Sequence, residues 1–222
     1  MNEKTSTDAQ VKEIKQRFRL IMDGHTAASM RQKGSQYALN WGASQVMLAQ
    51  MADKLRSEAA NNTGSQEAAD ALYHLSIALM KEDIRECKLL ATMLMPRGVM
   101  LPEVACLWVE QTRQVEVAEA AAMNVYQYLP QAGDLAYRWI AADDELTQLT
   151  GYHVLSRLFM RGMAPAERGI NELIDQALSA LASPTPLLRH AAMNTMQRFA
   201  ELGLVYRRMA QGATRKAGYD FI

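Results

Sequence analysis

Four residues occur twice in this chain. Ala121-Ala122-Met123-Asn124 returns as Ala191-Ala192-Met193-Asn194, and the residues that follow, VYQYL and TMQRF, keep the same order of sizes and polarity. An internal echo points to stacked structural units, none of which buries its apolar face alone. The material suits helices: Ala, Leu, Met, Glu and Gln are plentiful, prolines number six in 222 residues, and runs of Val, Ile and Thr are almost absent. An all-α fold follows from those propensities.

Capping and breaking residues divide the chain. Residues 1–7 and 212–222 read as loose polar tails of a single domain spanning 1–222. Asp8 suits a first N-cap, followed by Val11, Ile14, Phe18 and Ile21 at helical spacing, with Gly24 as the stop. A short helix at 26–33 ends at Gly34. Gly42 permits a turn and Ser44 a cap before the stripe Val46, Leu48, Met51, Leu55. After the loop at Asn61, Asn62, Gly64 and Ser65 come paired helices: 66–79 with 83–95, 102–109 with 115–129, 134–142 with 144–160, and 167–182 with 186–202, then a last segment at 204–211.

Laid over one another, the second helices of these pairs put Arg85, Glu119, Gln148 and Arg189 in register, with Leu89, Met123, Tyr152 and Met193 four residues later. The steps of 34, 29 and 41 residues scatter around a common period. Such a period, with Ala-rich faces such as LLRHAAMNTM, suits an α-α superhelix, a solenoid of HEAT-like helix pairs.

Three stretches then resemble a known family. Leu39-Asn40-Trp41-Gly42-Ala43-Ser44 followed by LAQMA, Asp83-Ile84-Arg85-Glu86 with Ala91, and Trp139 before Asp143-Asp144 resemble, in order and spacing, elements of the AlkD-type DNA alkylation repair proteins. The resemblance covers about residues 10–200. It implies a HEAT-like solenoid that binds duplex DNA on its concave face. Catalytic members excise cationic alkylated purines using a Trp and an Asp in a Trp-Asp-x-x-Asp pattern and an Arg on the next inner helix. An aromatic face attracts cationic charge, a carboxylate stabilises a developing oxocarbenium ion and Arg holds a phosphate.

This chain departs from that pattern. Val115-Glu116-Val117-Ala118-Glu119 aligns with the Trp-Asp-x-x-Asp stretch, so Val115 replaces the ring and the carboxylate survives as Glu119. The Arg position falls on Gln148 or Leu149. The resemblance therefore implies a divergent DNA-binding protein with catalysis lost or altered, contacting DNA through Arg85, Gln148, Arg189, Arg198, Arg207 and Arg208. Two alternatives stand beside it: an active glycosylase for 3-methyladenine or 7-methylguanine with Glu119 as its catalytic carboxylate, and a HEAT-type scaffold for protein partners or self-association.

Charge and motifs bound the rest. Net charge is zero, with basic residues toward both ends and an acidic middle at 101–150, so the chain as a whole lacks the basic excess of a general polyanion binder. The four histidines are scattered, and no metal site or cofactor is expected. Gly-rich nucleotide-binding motifs are absent. Cys87 and Cys106, without CxxC spacing, read as reduced, buried thiols of a cytoplasmic protein, and the polar start does not read as a signal peptide.

Overall fold

The computed structural model of the chain describes residues 2–62 and 64–222, without the side chains of residues 2–6. Its described regular structure is helical apart from one isolated parallel bridge between Leu39 and Ile84. Contacts divide the chain into two compact units, Met1–Leu101 and Pro102–Ile222. No described helix is long and apolar enough to cross a membrane.

The first unit holds α1 (Asn2–Leu20), α2 (Gly24–Gln32), α3 (Gln45–Asn62), α4 (Ser65–Lys81) and α5 (Arg85–Leu94). Val11, Ile14 and Phe18 of α1 are buried as their spacing predicts. The helix itself is longer than predicted. It runs from Asn2, so Asp8 lies inside it and the polar start is helical from the second residue. The cap belongs to Asp23, whose Oδ1 accepts the backbone N–H groups of His25 and Thr26 at 3.0 Å each. Gly24 thus opens α2 instead of closing α1. Helix α4 packs on α1, α3 and α5, with Leu48, Leu79, Leu89 and Leu90 fully enclosed among them.

The two family-like motifs of this unit form one junction. Leu39 N–H donates to Asp83 O (3.2 Å) and Arg85 N–H to Leu39 O (3.1 Å). Glu86, fully buried, accepts from Trp41 N–H at 3.1 Å and Ala43 N–H at 3.2 Å. Arg85 Nη1 donates back to Ala43 O at 2.8 Å and lies 3.2 Å from Glu86 Oε1. Gly42, at φ +75°, brings this loop against the start of α2. The 39–44 loop thus gets several of its backbone hydrogen bonds from Asp83, Arg85 and Glu86 at the start of α5, and others from Asn40 and Asp23, as buried polar groups require.

The second unit holds α6 (Pro102–Gln111), α7 (Val115–Asn124) with a 3-10 turn at Tyr126–Tyr128, α8 (Ala132–Ile140), α9 (Glu145–Met160), α10 (Glu167–Leu181), α11 (Pro186–Glu201) and α12 (Leu204–Lys216). Helix α9 packs on α7, α8 and α11, and α10 on α8, α11 and α12. Pairs α8/α9 and α10/α11 therefore stack with like beside like. The echo explains part of this. Its alanines, Ala121, Ala122, Ala191 and Ala192, are all buried on the two helices that flank α9, where small side chains permit close approach. Gly151 does the same on the side of α9 facing α8: a Cβ there would lie 2.8 Å from Ala136 O and Ile140 N. Across α9 and α11, Thr195 Oγ1 donates to Tyr152 O at 2.9 Å and Asn194 Nδ2 to Ser156 Oγ at 3.0 Å.

The C-terminal residues are more ordered into the fold than their composition predicts. Helix α12 continues to Lys216. Gln197 Nε2 then holds Phe221 O at 3.2 Å and Gln211 Nε2 holds Ile222 O at 3.0 Å.

A recurring polar device marks the repeat better than the predicted register does. The fourth residue of α5, α9 and α11 reaches back to a carbonyl at the end of the preceding helix. Lys88 Nζ donates to Met80 O (2.9 Å), Gln148 Nε2 to Ala142 O (2.5 Å) and Arg189 Nη1 to Ser183 O (2.6 Å). Met80 O lies in the last turn of α4, where carbonyls have no partner within the helix, while Ala142 O and Ser183 O lie in the connections just past α8 and α10. Gln148 and Arg189 are equivalent, as their alignment predicts. Arg85 is not: it is the first residue of α5, and Lys88 holds the equivalent place.

Candidate nucleic-acid interface

The carboxylate that survives from the catalytic pattern is the exposed residue of an otherwise buried stretch of α7, between Val117, Ala118 and Ala120, Ala121. Glu119 retains 56 % of its side-chain exposure and approaches His153 Nε2 of α9 at 3.6 Å. This is longer than a hydrogen bond, and it is not an ion pair at neutral pH. Burial, with Arg157 adding to it, lowers the His153 pKa to about 4, so the imidazole is neutral. Its Nε2 is enclosed and makes no hydrogen bond. Partial burial and then Glu116 push the Glu119 carboxyl above its usual range, against an opposing pull from Arg157. Glu116, Glu119, His153 and Arg157 therefore form a mixed-charge cluster across α7 and α9. The sequence identified Glu119 and placed His153 on an inner helix. It missed Glu116 and Arg157, although their i,i+3 and i,i+4 spacing to those residues on the two helices was the available signal.

The His153 shift predicts a pH dependence of stability. The folded pKa lies below the unfolded one, so the unfolded chain binds more protons between about pH 6.5 and 4. This contribution is intact above pH 6.5 and is lost as pH falls toward 4, by about 2 kcal/mol after allowance for partial exposure. Urea midpoints across that window should flatten in His153→Gln; an unchanged slope would remove His153 as the cause.

The other lesion-site functions are not rebuilt nearby. Val115 is half-buried at the start of α7, and Leu149 is buried in α9. Trp108 of α6 and Trp139 of α8 are enclosed at 3 % and 4 % exposure. The Trp139 ring packs on Tyr126 at 5.1 Å. Gln148 is committed to Ala142 O. Among the described residues no group of three or more His, Cys, Asp or Glu side chains is placed to hold a metal ion.

The six residues predicted to contact DNA stand in different surroundings. Arg85 is 2 % exposed and hydrogen-bonded within its own unit, which corrects its assignment to a phosphate-facing position. Gln148 and Arg189 close helix ends, Arg189 with a second bond to Pro184 O at 2.9 Å. Arg198 pairs with Glu201 at 2.9 Å. Arg207 and Arg208 stand exposed on α12. Cys87 is buried, with its thiol pushed up to about 12 chiefly by burial, while Cys106 is half-buried.

Comparison with known proteins identifies the class. The family model described as DNA alkylation repair enzyme matches residues 14–201, and the chain belongs to that family. Its fold is that of the HEAT-like helical-repeat proteins. A solved structure from "a new family of proteins related to the HEAT-like repeat DNA glycosylases with affinity for branched DNA structures" superimposes with a TM-score of 0.74 at 15 % identity, covering 93 % of this chain and 82 % of that one. No curated protein matches the chain.

Proposed function

We propose that this protein binds DNA without excising alkylated bases. The observation that carries the reading is the state of the α7/α9 cluster. Glu119 stands there with a neutral histidine and no aromatic face, and the amide at the Arg position is bonded to a backbone carbonyl. Of the three functions in the catalytic pattern only the carboxylate is present, since Val115 holds the place of the ring and Gln148 or Leu149 that of the arginine. DNA as the ligand is supported by family membership and by the related protein's affinity for branched DNA. Exposed Arg207 and the partly exposed Arg157 and Arg198 supply cations for phosphates. The two free cysteines, Cys87 and Cys106, support a cytoplasmic setting as part of this reading.

Fluorescence anisotropy with a labelled duplex and a four-way junction tests the first half. Binding is expected at about 50 mM salt, tighter to the junction. With three phosphate contacts, affinity should fall about 40-fold by about 200 mM salt. Arg207→Ala should reduce the salt slope by about 1. No binding to either DNA at the lower salt ends the proposal. Incubation with DNA carrying 7-methylguanine tests the second half: base release should not exceed the spontaneous rate, and release abolished by Glu119→Gln would instead establish an enzyme.

A further inference from the structure

Helix α12 is the last helix of the second unit, and three large apolar side chains stand exposed among its basic residues. Leu204 and Val205 are 63 % and 67 % exposed, and Met209 is 38 % exposed. Arg208, Gly212 and Lys216 recur at four-residue steps beside them. Between α12 and α10 runs an open groove of about 540 Å³, lined by Ile174, Leu178, Met209 and Gly212, with Arg208 and Lys216 among its walls. Gly212 sits inside the helix with nothing within 4 Å of the place a Cβ would occupy. A mid-helix glycine lowers helix stability, and neither a positive φ nor internal packing accounts for this one. Close approach of another backbone does.

A complementary surface lies on α6 of the same unit. Glu103, Leu107 and Glu110 are exposed at i, i+4 and i+7, so two carboxylates flank an apolar side chain that is 47 % exposed. The seven steps from Glu103 to Glu110 span about 10 Å of helix, and the eight from Arg208 to Lys216 about 12 Å. Charge, spacing and apolar centre therefore match between the two faces.

We propose that α6 of one molecule docks into the α10/α12 groove of a second copy, with Leu107 on the apolar floor and Glu103 and Glu110 against Arg208 and Lys216. Two different faces meet, so the contact is heterologous. Every docked molecule keeps one free face of each kind, and assembly grows head to tail. The contact involves two or three helical turns on each side and falls below the size of a stable dimer interface. Association is therefore weak, concentration-dependent and salt-sensitive.

Sedimentation velocity on the full chain without DNA tests this. The weight-average mass should rise between about 10 and 500 µM protein at about 20 mM salt, and return to the monomer value at about 500 mM salt. Glu103→Lys with Glu110→Lys should abolish the rise, as should Arg208→Glu with Lys216→Glu. An equimolar mixture of the two double variants should associate again, because the unchanged α6 of one fits the unchanged groove of the other and the basic α6 fits the acidic groove. Gly212→Gln, which projects into open space, should block the groove without altering the fold, read as an unchanged helical circular-dichroism spectrum. A wild-type chain that stays monomeric throughout, as expected if the groove takes an acidic helix of another protein, overturns the proposal. So does association that survives in the double variants or Gly212→Gln, or a mixture that remains monomeric.

Discussion

Replacing Glu86 by alanine should destabilise the first unit by about 3–5 kcal/mol, the range for removing one partner of a buried ion pair. The side chain is 0 % exposed and its two oxygens accept from Trp41 N–H, Ala43 N–H and Arg85 Nη1. Alanine would leave two backbone donors without these acceptors and would take one carboxylate from an arginine that is 2 % exposed. Native domains are stable by only about 5–15 kcal/mol, so the unit should be largely unfolded at modest urea. Glu86→Gln keeps the shape and one acceptor oxygen and should cost less than alanine. Urea unfolding followed by Trp41 fluorescence reads both. A loss under about 1 kcal/mol for Glu86→Ala would show that the carboxylate is replaceable there.

The second large effect is expected on the opposite side of the same loop. Gly42→Ala forces an L side chain into φ +75° and places its Cβ 2.2 Å from Asp23 O and 2.7 Å from Ala27 N. The left-handed conformation alone costs about 1–2 kcal/mol. Because the obstructing atoms are backbone atoms of the α2 terminus, relief requires the loop or α2 to move, which adds about 1–3 kcal/mol. Gly162 supplies the control, since it has the same φ of +75° with nothing within 4 Å of its Cβ position. Gly162→Ala should therefore show the conformational cost alone. Thermal unfolding of both variants separates the two contributions, and equal losses would mean that the contact between the loop and α2 yields freely.

These two positions show how far the sequence could be read. Gly42 is legible as a turn because glycine alone enters that conformation without strain. Helix boundaries at Pro102, Asp144 and Pro186 follow from capping and breaking residues, whose effect is local. Partnerships across the chain are a different matter. Arg85 and Glu86 look like exposed charges of a helix start, and only the approach of a loop more than forty residues away encloses them. The same applies to the site. Residue types at Val115, Glu119 and Gln148 are visible in the alignment to the family pattern. That Gln148 and Arg189 are spent on carbonyls is not, because side-chain reach across a helix connection leaves no periodic trace. The α1 terminus was misread for a related reason. A polar stretch carries no apolar stripe to announce a helix, although its Asp, Glu and Lys residues do not prevent one.

The backward-reaching donor at the fourth position of α5, α9 and α11 has a consequence for how such a chain can change. An ammonium, an amide and a guanidinium each close the preceding helix at Lys88, Gln148 and Arg189. The position holds a long side chain with an N–H to give in each case, charged at Lys88 and Arg189 and neutral at Gln148. Substitution among the three residue types can therefore add or remove a positive charge, one repeat at a time, while the helices stay where they are. The electrostatic character of the repeats is adjustable independently of their architecture.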